Sequence, residues 1–325
     1  MLGAIWKVEG KKLYRWYRVL SRFSEKVEEL TRYDIKDKQG QTKSVPILKP
    51  ENLGPDMAID DKNIDGEMWT VLSNRQSGKI ALMAETIKTE ELLKLSKQFG
   101  EKCFEVKTIT ADMSLGYEWF NRQAFMNATR VTDKFHVVKE ALDNLQAIRI
   151  RHRQQHLQDI GLQREAAKKE KKKVTEPRLS HGETKAELLA RSRYLPYTYR
   201  ESWKPSQAER AKVLFAMYPE INTAYDLLGQ FRKWYDKGNL SKAKETIKQE
   251  LVKWYEAVKQ SNIDEMLSLK SMIERHEVSI LNYFHEGKTN AKAEALNGKI
   301  QAFIRTNYGI RDKLFFLYRL KNYYS

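Results

Sequence analysis

Between Met57 and Asp133 the chain is broken into short runs of strand-forming residues, and after Phe135 such runs cease. The segments DMAID, EMWTVLSN and KIALMAE are separated by the turn signals Asp65-Gly66 and Ser77-Gly78, so they read as three strands of a meander. TEELLKLSKQFG has helical spacing and leads to a strand in FEVKTITAD, a helix beginning near Ser114, and a last strand around ATRVTD. The order βββαβαβ predicts the α/β class, with helices laid on a mixed five-stranded sheet.

From Phe135 to His285 the sequence is charged and helix-periodic, which predicts an all-helical region. Within it, REAAKKEKKKVTEPRLSHGETKAE is nearly devoid of apolar residues, as expected for an exposed helix end followed by a mobile loop. The Lys168 to Lys173 run reads as a solvated face in preference to a DNA contact. The last forty residues predict two helices broken near Tyr308-Gly309. At the front, KKLYRWYRVLSRF reads as a basic helix, followed by a polar linker containing Gly and Pro.

Charge points to the partner. With 59 Lys and Arg against 43 Asp and Glu, the chain carries a net charge of +16 and a pI near 9.6, which favours a polyanion such as nucleic acid. No stretch approaches the roughly 20 apolar residues of a spanning helix, so no membrane partner is expected. The start lacks a signal peptide's apolar run, and a single cysteine excludes an internal disulfide framework, which places the chain in a reducing cytoplasm. Cys103, in KCFEVKTI, reads as a buried strand residue and not as a nucleophile.

Three acidic residues stand out by their surroundings. Asp60 ends the apolar run MAID, and Asp112 follows VKTITA and precedes a helix. Carboxylates converging from neighbouring strands repel unless protonated or neutralised by cations, and hard oxygen donors select Mg²⁺ or Mn²⁺. Glu294, in NAKAEALNGK, lies where a helix with the small or apolar residues Ala291, Ala293, Ala295 and Leu296 can approach the sheet closely. Spacing alone leaves alternatives: Asp112 suits a helix N-cap, and Asp61, Asp65 and Asp133 compete as ligands. If Asp60 faces the cleft, Asp61 faces the opposite side of its strand.

The segments MAIDDKNIDGEMWTVLSN, TITADMSLGYEWF, TRVTDKFHVVKEALDNLQAIRIRH, LLARSRYLPYTYRESW and TNAKAEALNGKIQAFIR occur in this order, and together they resemble the ISL3 group of DDE insertion-sequence transposases. The likeness runs from about Gly10 to the C-terminus. It implies a ribonuclease-H-like core interrupted by a long all-α insertion: a basic helix and linker (1–52), the first part of the core (53–137), the insertion (138–286) and the returning helices (287–325). It also implies the catalytic and metal-binding triad Asp60, Asp112 and Glu294, which fill Ala58-Ile59-Asp60, Asp112-Met113-Ser114 and the motif Thr289 to Asn297. Two Mg²⁺ or Mn²⁺ ions would be held there, Asp60 bridging both, for cleavage at transposon ends and strand transfer into target DNA. The implied setting is bacterial and nucleoid-associated, with a homodimer on DNA. Asp61 departs from the group's usual Glu. A chain with only Cys103 cannot build the cysteine-rich zinc-binding front of many members of the group, which leaves two readings, a separate upstream DNA-binding polypeptide as partner or a truncated copy. The alternatives are a catalytically inactive or repurposed basic DNA-binding protein, and a structure-specific nuclease on the same fold.

Secondary candidates follow. Asp133 and His136 match a motif of the group and, with Asn297 one turn after Glu294, are candidate supporting residues. Lys11, Lys12, Arg15, Arg18 and Arg22 are candidate phosphate contacts, the three arginines on one helix face, with Trp16 and Tyr17 read as core packing. Arg191, Arg193, Trp203 and Lys292 are further DNA-binding candidates, although Trp203 also suits a packing role. His152 and His156 have the spacing of a metal pair but are read as solvent-facing.

Overall fold

The computed structural model describes residues 9–31, 35–36, 40, 42–43, 47–286, 291–306 and 312–325, and within those stretches the side chains of Lys292, Glu294 and Asn297, among others, lie outside the described residues. Along the chain come helices α1 (Gly10–Leu20) and α2 (Phe23–Thr31), then strands β1 (Ile47–Leu48), β2 (Asp56–Ile64), β3 (Glu67–Asn74) and β4 (Ile80–Ala84). Helix α3 (Thr89–Ser96), β5 (Thr108–Ala111), α4 (Leu115–Ala124) and β6 (Thr129–Thr132) complete the strand-bearing region. Seven helices follow: α5 (Lys134–Lys169), α6 (Lys185–Arg191), α7 (Pro205–Met217), α8 (Pro219–Trp234), α9 (Lys244–Ser261), α10 (Asp264–Arg275) and α11 (Glu277–Glu286). The chain closes with α12 (Ala291–Thr306) and α13 (Lys313–Tyr324), the expected break near Tyr308-Gly309 lying outside the described residues. Two compact units result: Met1–Asp133 with Lys288–Ser325, and Lys134–Gly287.

The first unit is built on a mixed sheet of order β1-β4-β3-β2-β5-β6, the ribonuclease-H-like arrangement. The β2–β3 hairpin turns on Asp65 (φ 55°) and Gly66 (φ 88°), the left-handed pair that a two-residue hairpin requires. Strand β5 runs parallel to both β2 and β6, because α3 and α4 provide the crossovers. The sheet has six strands and not the five expected. The sixth, Ile47–Leu48, pairs with Met83 and Leu82 at the edge of β4, inside the stretch read as linker. Cys103 is buried as expected, but in a 3-10 segment spanning Lys97–Glu105 and not in a strand.

Alternation along β2 divides the core into two layers. Met57 and Ile59 join Leu72, Leu92, Phe99, Ala111, Tyr117 and Phe120 in the layer beneath α3 and α4. Ile64 joins Ile47, Trp69, Val71 and Met83 on the other face, where Leu296 and Ile300 of α12 and Phe316, Leu317 and Leu320 of α13 cover them. Burial of several large side chains per layer, each contributing about 1.5–3 kcal/mol, fixes which residues of β2 face which helices. A smaller cluster joins the ends of the unit: Phe23 and Phe315 are buried with ring centroids 5.0 Å apart, and Tyr318 donates to the carbonyl of Ser21.

The second unit is helical throughout. Its aromatic core sets Phe231 against Trp254 at 4.8 Å and Trp234 against Phe284 at 4.9 Å, both with tilted rings, while the Trp234 and Trp254 indoles donate to the Ile247 and Leu227 carbonyls. The loop after α5, read as mobile from its composition, is anchored by two acids. Glu176 accepts from the His156 ring and from the Ala186 amide, and buried Glu183 is held by Arg210, Arg191 and His181. His152 and His156 are accordingly not solvent-facing. Both are half-buried, with Glu220 and Glu176 drawn onto their rings.

Candidate active site

Pairing between β2 and β5 sets the site. The register aligns Asp56 with Thr108 and Ala58 with Thr110, so each strand reaches its acid, Asp60 or Asp112, two residues further on. Residues two apart in a strand share a face. Asp60 therefore lies on the face of Ala58 and Ile64, the layer covered by α12 and α13, and Asp112 continues the row of Thr108 and Thr110 beside it. Both are partly exposed.

Each acid is locally held. The Lys62 ammonium lies 2.7 Å from Asp60 Oδ2, and the Asp61 amide donates to Asp60 Oδ1 at 2.9 Å. Asp112 Oδ1 accepts from the Ser114 amide at 2.9 Å, a turn that leads into α4, and the Asp112 carbonyl accepts from the Arg130 guanidinium at 2.9 Å. Arg130 in turn pairs with Glu118 of α4 at 2.8 Å. Asp112 therefore makes a turn hydrogen bond ahead of α4 and not the N-cap contact weighed for it, the N-cap position being Ser114.

Asp61 faces the other layer. It accepts hydrogen bonds from the phenol of Tyr117 and from Thr70, whose hydroxyl lies 2.7 Å from the Thr86 carbonyl. Burial pushes the Asp61 carboxyl above its ordinary range, and the charges of Asp112 and Asp60 add to that rise although Tyr117 and Thr70 oppose it. Asp61 thus feels the charges of both other acids from the opposite face of β2.

Glu294 lies in the first turn of α12, whose Leu296 and Ile300 pack on the same layer that Asp60 faces; its side chain is outside the described residues. Among the described residues no group of three or more His, Cys, Asp or Glu side chains gathers as a metal site, Asp60 and Asp112 supplying two. Asp65 sits exposed in the hairpin turn, apart from any such grouping.

The remaining candidates are dispersed. Asp133 is buried, its amide donating to the Ala111 carbonyl at 2.9 Å, and the His136 ring packs edge-on against Phe135. Lys11, Lys12 and Arg15 are exposed on α1, but Arg18 is drawn to Asp312 at 3.0 Å, and Arg22, at φ 51°, lies beyond the end of the helix. The three arginines therefore do not share one helix face. Tyr17 packs against Phe315, whereas Trp16 is exposed beneath Lys12 and not in the core. Arg191 is paired with Glu183 and Glu187, and Arg193 stacks on Tyr194. Trp203 packs between Phe215 and Tyr225. Lys62 and Tyr117 went unnoticed in the sequence, although the two-residue offset of Lys62 from Asp60 was a usable signal.

Comparison with known proteins agrees with this architecture. A family model described as Transposase, that of the ISL3-group DDE enzymes, matches residues 57–320. No curated protein and no solved structure gives a significant match. The matched span takes in the strands bearing Asp60 and Asp112, the whole helical unit and the helix bearing Glu294. Membership implies a DNA-cleaving enzyme with DNA as its partner, and no helix among the described residues is long and apolar enough to cross a membrane. The chain belongs to the ISL3 group of DDE transposases.

Proposed function

We propose that this chain cuts DNA at transposon ends and joins the freed 3′ ends to a target strand, with Asp60, Asp112 and Glu294 as its catalytic carboxylates. The observation that carries the reading is the register of β2 against β5, which aligns two acids on the face covered by the helix of Glu294. Those donors suit Mg²⁺ or Mn²⁺, which when bound would supply Lewis-acid stabilisation at the attacking and leaving oxygens.

The chain's own groups do the positioning. Asp60 presents its carboxylate from the middle of β2 and Asp112 from just beyond the end of β5, where Arg130 holds the peptide of Asp112. Lys62 neutralises Asp60 and supplies a cation at the place where a phosphodiester must approach. The surplus of basic residues draws the DNA backbone in, with an affinity that falls as salt rises. Water attacks the transposon-end phosphodiester to release a 3′-hydroxyl, and that hydroxyl attacks the target strand, one phosphodiester replacing another.

The test is cleavage and strand transfer on a transposon-end duplex with Mn²⁺. Asp60→Asn and Asp112→Asn should each lower the cutting rate on the order of 10³-fold or more while DNA affinity stays within about twofold. A variant that cuts at the wild-type rate would remove its residue from the site. Cutting without joining would make the chain a nuclease.

A further inference from the structure

The helical unit holds a second recess with a lining suited to nucleotide chemistry. A cavity of about 330 Å³ opens beside α8, bordered by Tyr199, Arg200, Tyr225, Gly229, Arg232 and Lys233. That volume falls within the range of small-ligand sites, roughly 300–1,000 Å³.

Two of the lining residues form a cation–π pair. The Arg232 guanidinium lies 4.1 Å from the centroid of the Tyr199 ring, and its Nη1 donates to the Pro196 carbonyl at 3.3 Å. Guanidinium and aromatic groups are the side chains on which nucleobases stack. Tyr225 is also in the lining, its hydroxyl donating to the Thr198 carbonyl at 2.7 Å and its ring lying under Arg200. Arg200 is already engaged by Asp226 at 2.6 Å and Asn222 at 2.8 Å. Lys233, exposed and in no ion pair among the described residues, can take a phosphate, while Glu201, also in the lining, can accept from the amino groups of a base.

Gly229, in the interior of α8, also lines the cavity. Glycine in a helix interior is unfavourable relative to alanine. A Cβ added at this position would meet nothing within 4 Å, so there is room here for a larger side chain.

We propose that this pocket takes one unpaired nucleotide of the DNA, its base stacked on Arg232 and its phosphate on Lys233. The proposal rests on the reading of DNA as substrate, but it places a contact in the helical unit, independent of the carboxylates. A paired base cannot leave its stack to enter such a recess without a cost of a few kcal/mol, so the pocket selects unpaired nucleotides.

Fluorescence anisotropy of the full chain in EDTA tests this without any cutting. The probes are a duplex with a one-nucleotide bulge, the same duplex fully paired, and a deoxynucleoside monophosphate as competitor. Wild-type protein should prefer the bulged duplex about 10-fold, as expected for one stacked base. Gly229→Trp, which adds a large side chain to the lining, and Arg232→Gln should each reduce that preference to about twofold or less without changing affinity for the paired duplex. Gly229→Ala should retain it. An equal preference in Gly229→Trp, or none in wild type, overturns the proposal. Competition by the free nucleotide with no preference among duplexes also overturns it, and assigns the pocket to small nucleotides. Asp60→Asn should keep the preference, so failure of the catalytic reading and failure of the pocket are separable.

Discussion

The ammonium of Lys62 lies 2.7 Å from Oδ2 of Asp60, two residues back along one strand and on the same face of the sheet. Both side chains are largely shielded from solvent, so on the proposed reading this pair would compete with a divalent cation for the Asp60 carboxylate. Replacing Lys62 with Met should tighten Mn²⁺ binding in the absence of DNA by about fivefold, corresponding to a pair worth about 1 kcal/mol. Isothermal calorimetry reads this directly. Weaker binding in Lys62→Met would show that the ammonium orients Asp60 and does not compete for it.

The Tyr117 hydroxyl joins the two halves of the site from behind. It donates to Asp61, the residue after Asp60, and it stands on the helix that follows Asp112. Tyr117→Phe leaves the ring packed but removes a donor from a buried carboxylate, at a cost of about 1–3 kcal/mol. The expected result is a thermal midpoint several degrees lower and a slower cutting step, with DNA affinity unchanged. An unaltered cutting rate in a destabilised variant would confine the bond to a structural role.

Glu183 makes the helical unit sensitive to acid. Hydrogen bonds from Arg210 and Arg191 hold its carboxyl down to about 2, against burial, which acts the other way. Because the folded value is depressed, the stabilisation is complete above the unfolded carboxylate pKa of about 4.3 and is lost as pH falls toward 2. Its size is on the order of 3 kcal/mol. Denaturant titrations from pH 6 to pH 2.5 should show a steep loss in wild type and a shallower one in Glu183→Gln, and parallel curves would rule out this linkage.

Phe315 is the anchor between the front and the tail of the chain. Fully buried, it meets Tyr14, Tyr17 and Phe23 at ring-centroid distances of 5.1, 5.7 and 5.0 Å. Phe315→Ala should cost about 3–5 kcal/mol and free α1. Limited proteolysis at the Lys11 to Arg22 segment would report it as rapid early cleavage, and a wild-type digestion pattern would contradict the anchoring role.

The strands of the core were readable because β2 and β3 alternate or run apolar between clear turn residues, and Asp65-Gly66 is a hairpin signal by itself. Edge strand β1 was not, since two residues carry no period and Ile47 finds its partner Met83 only in the folded sheet. The alternation of β2 also separates Asp60 from Asp61 by face. What lies opposite Asp61 was hidden, because Tyr117 arrives from 56 residues away. The same limit applies to His152 and His156: helical spacing showed their common side, while the acids that cover them come from Glu220 and from the loop containing Glu176.

One face of the sheet is completed only by residues made after the helical unit. Ile64, Trp69, Val71 and Met83 wait for Leu296, Ile300 and Phe316, and the whole helical unit is synthesised in between. During translation the ribosome therefore carries a half-covered sheet, with an apolar side exposed and without the helix of Glu294. A chain that stopped before α12 would lack the residues that cover this face, and would leave Ile64, Trp69, Val71 and Met83 open to solvent.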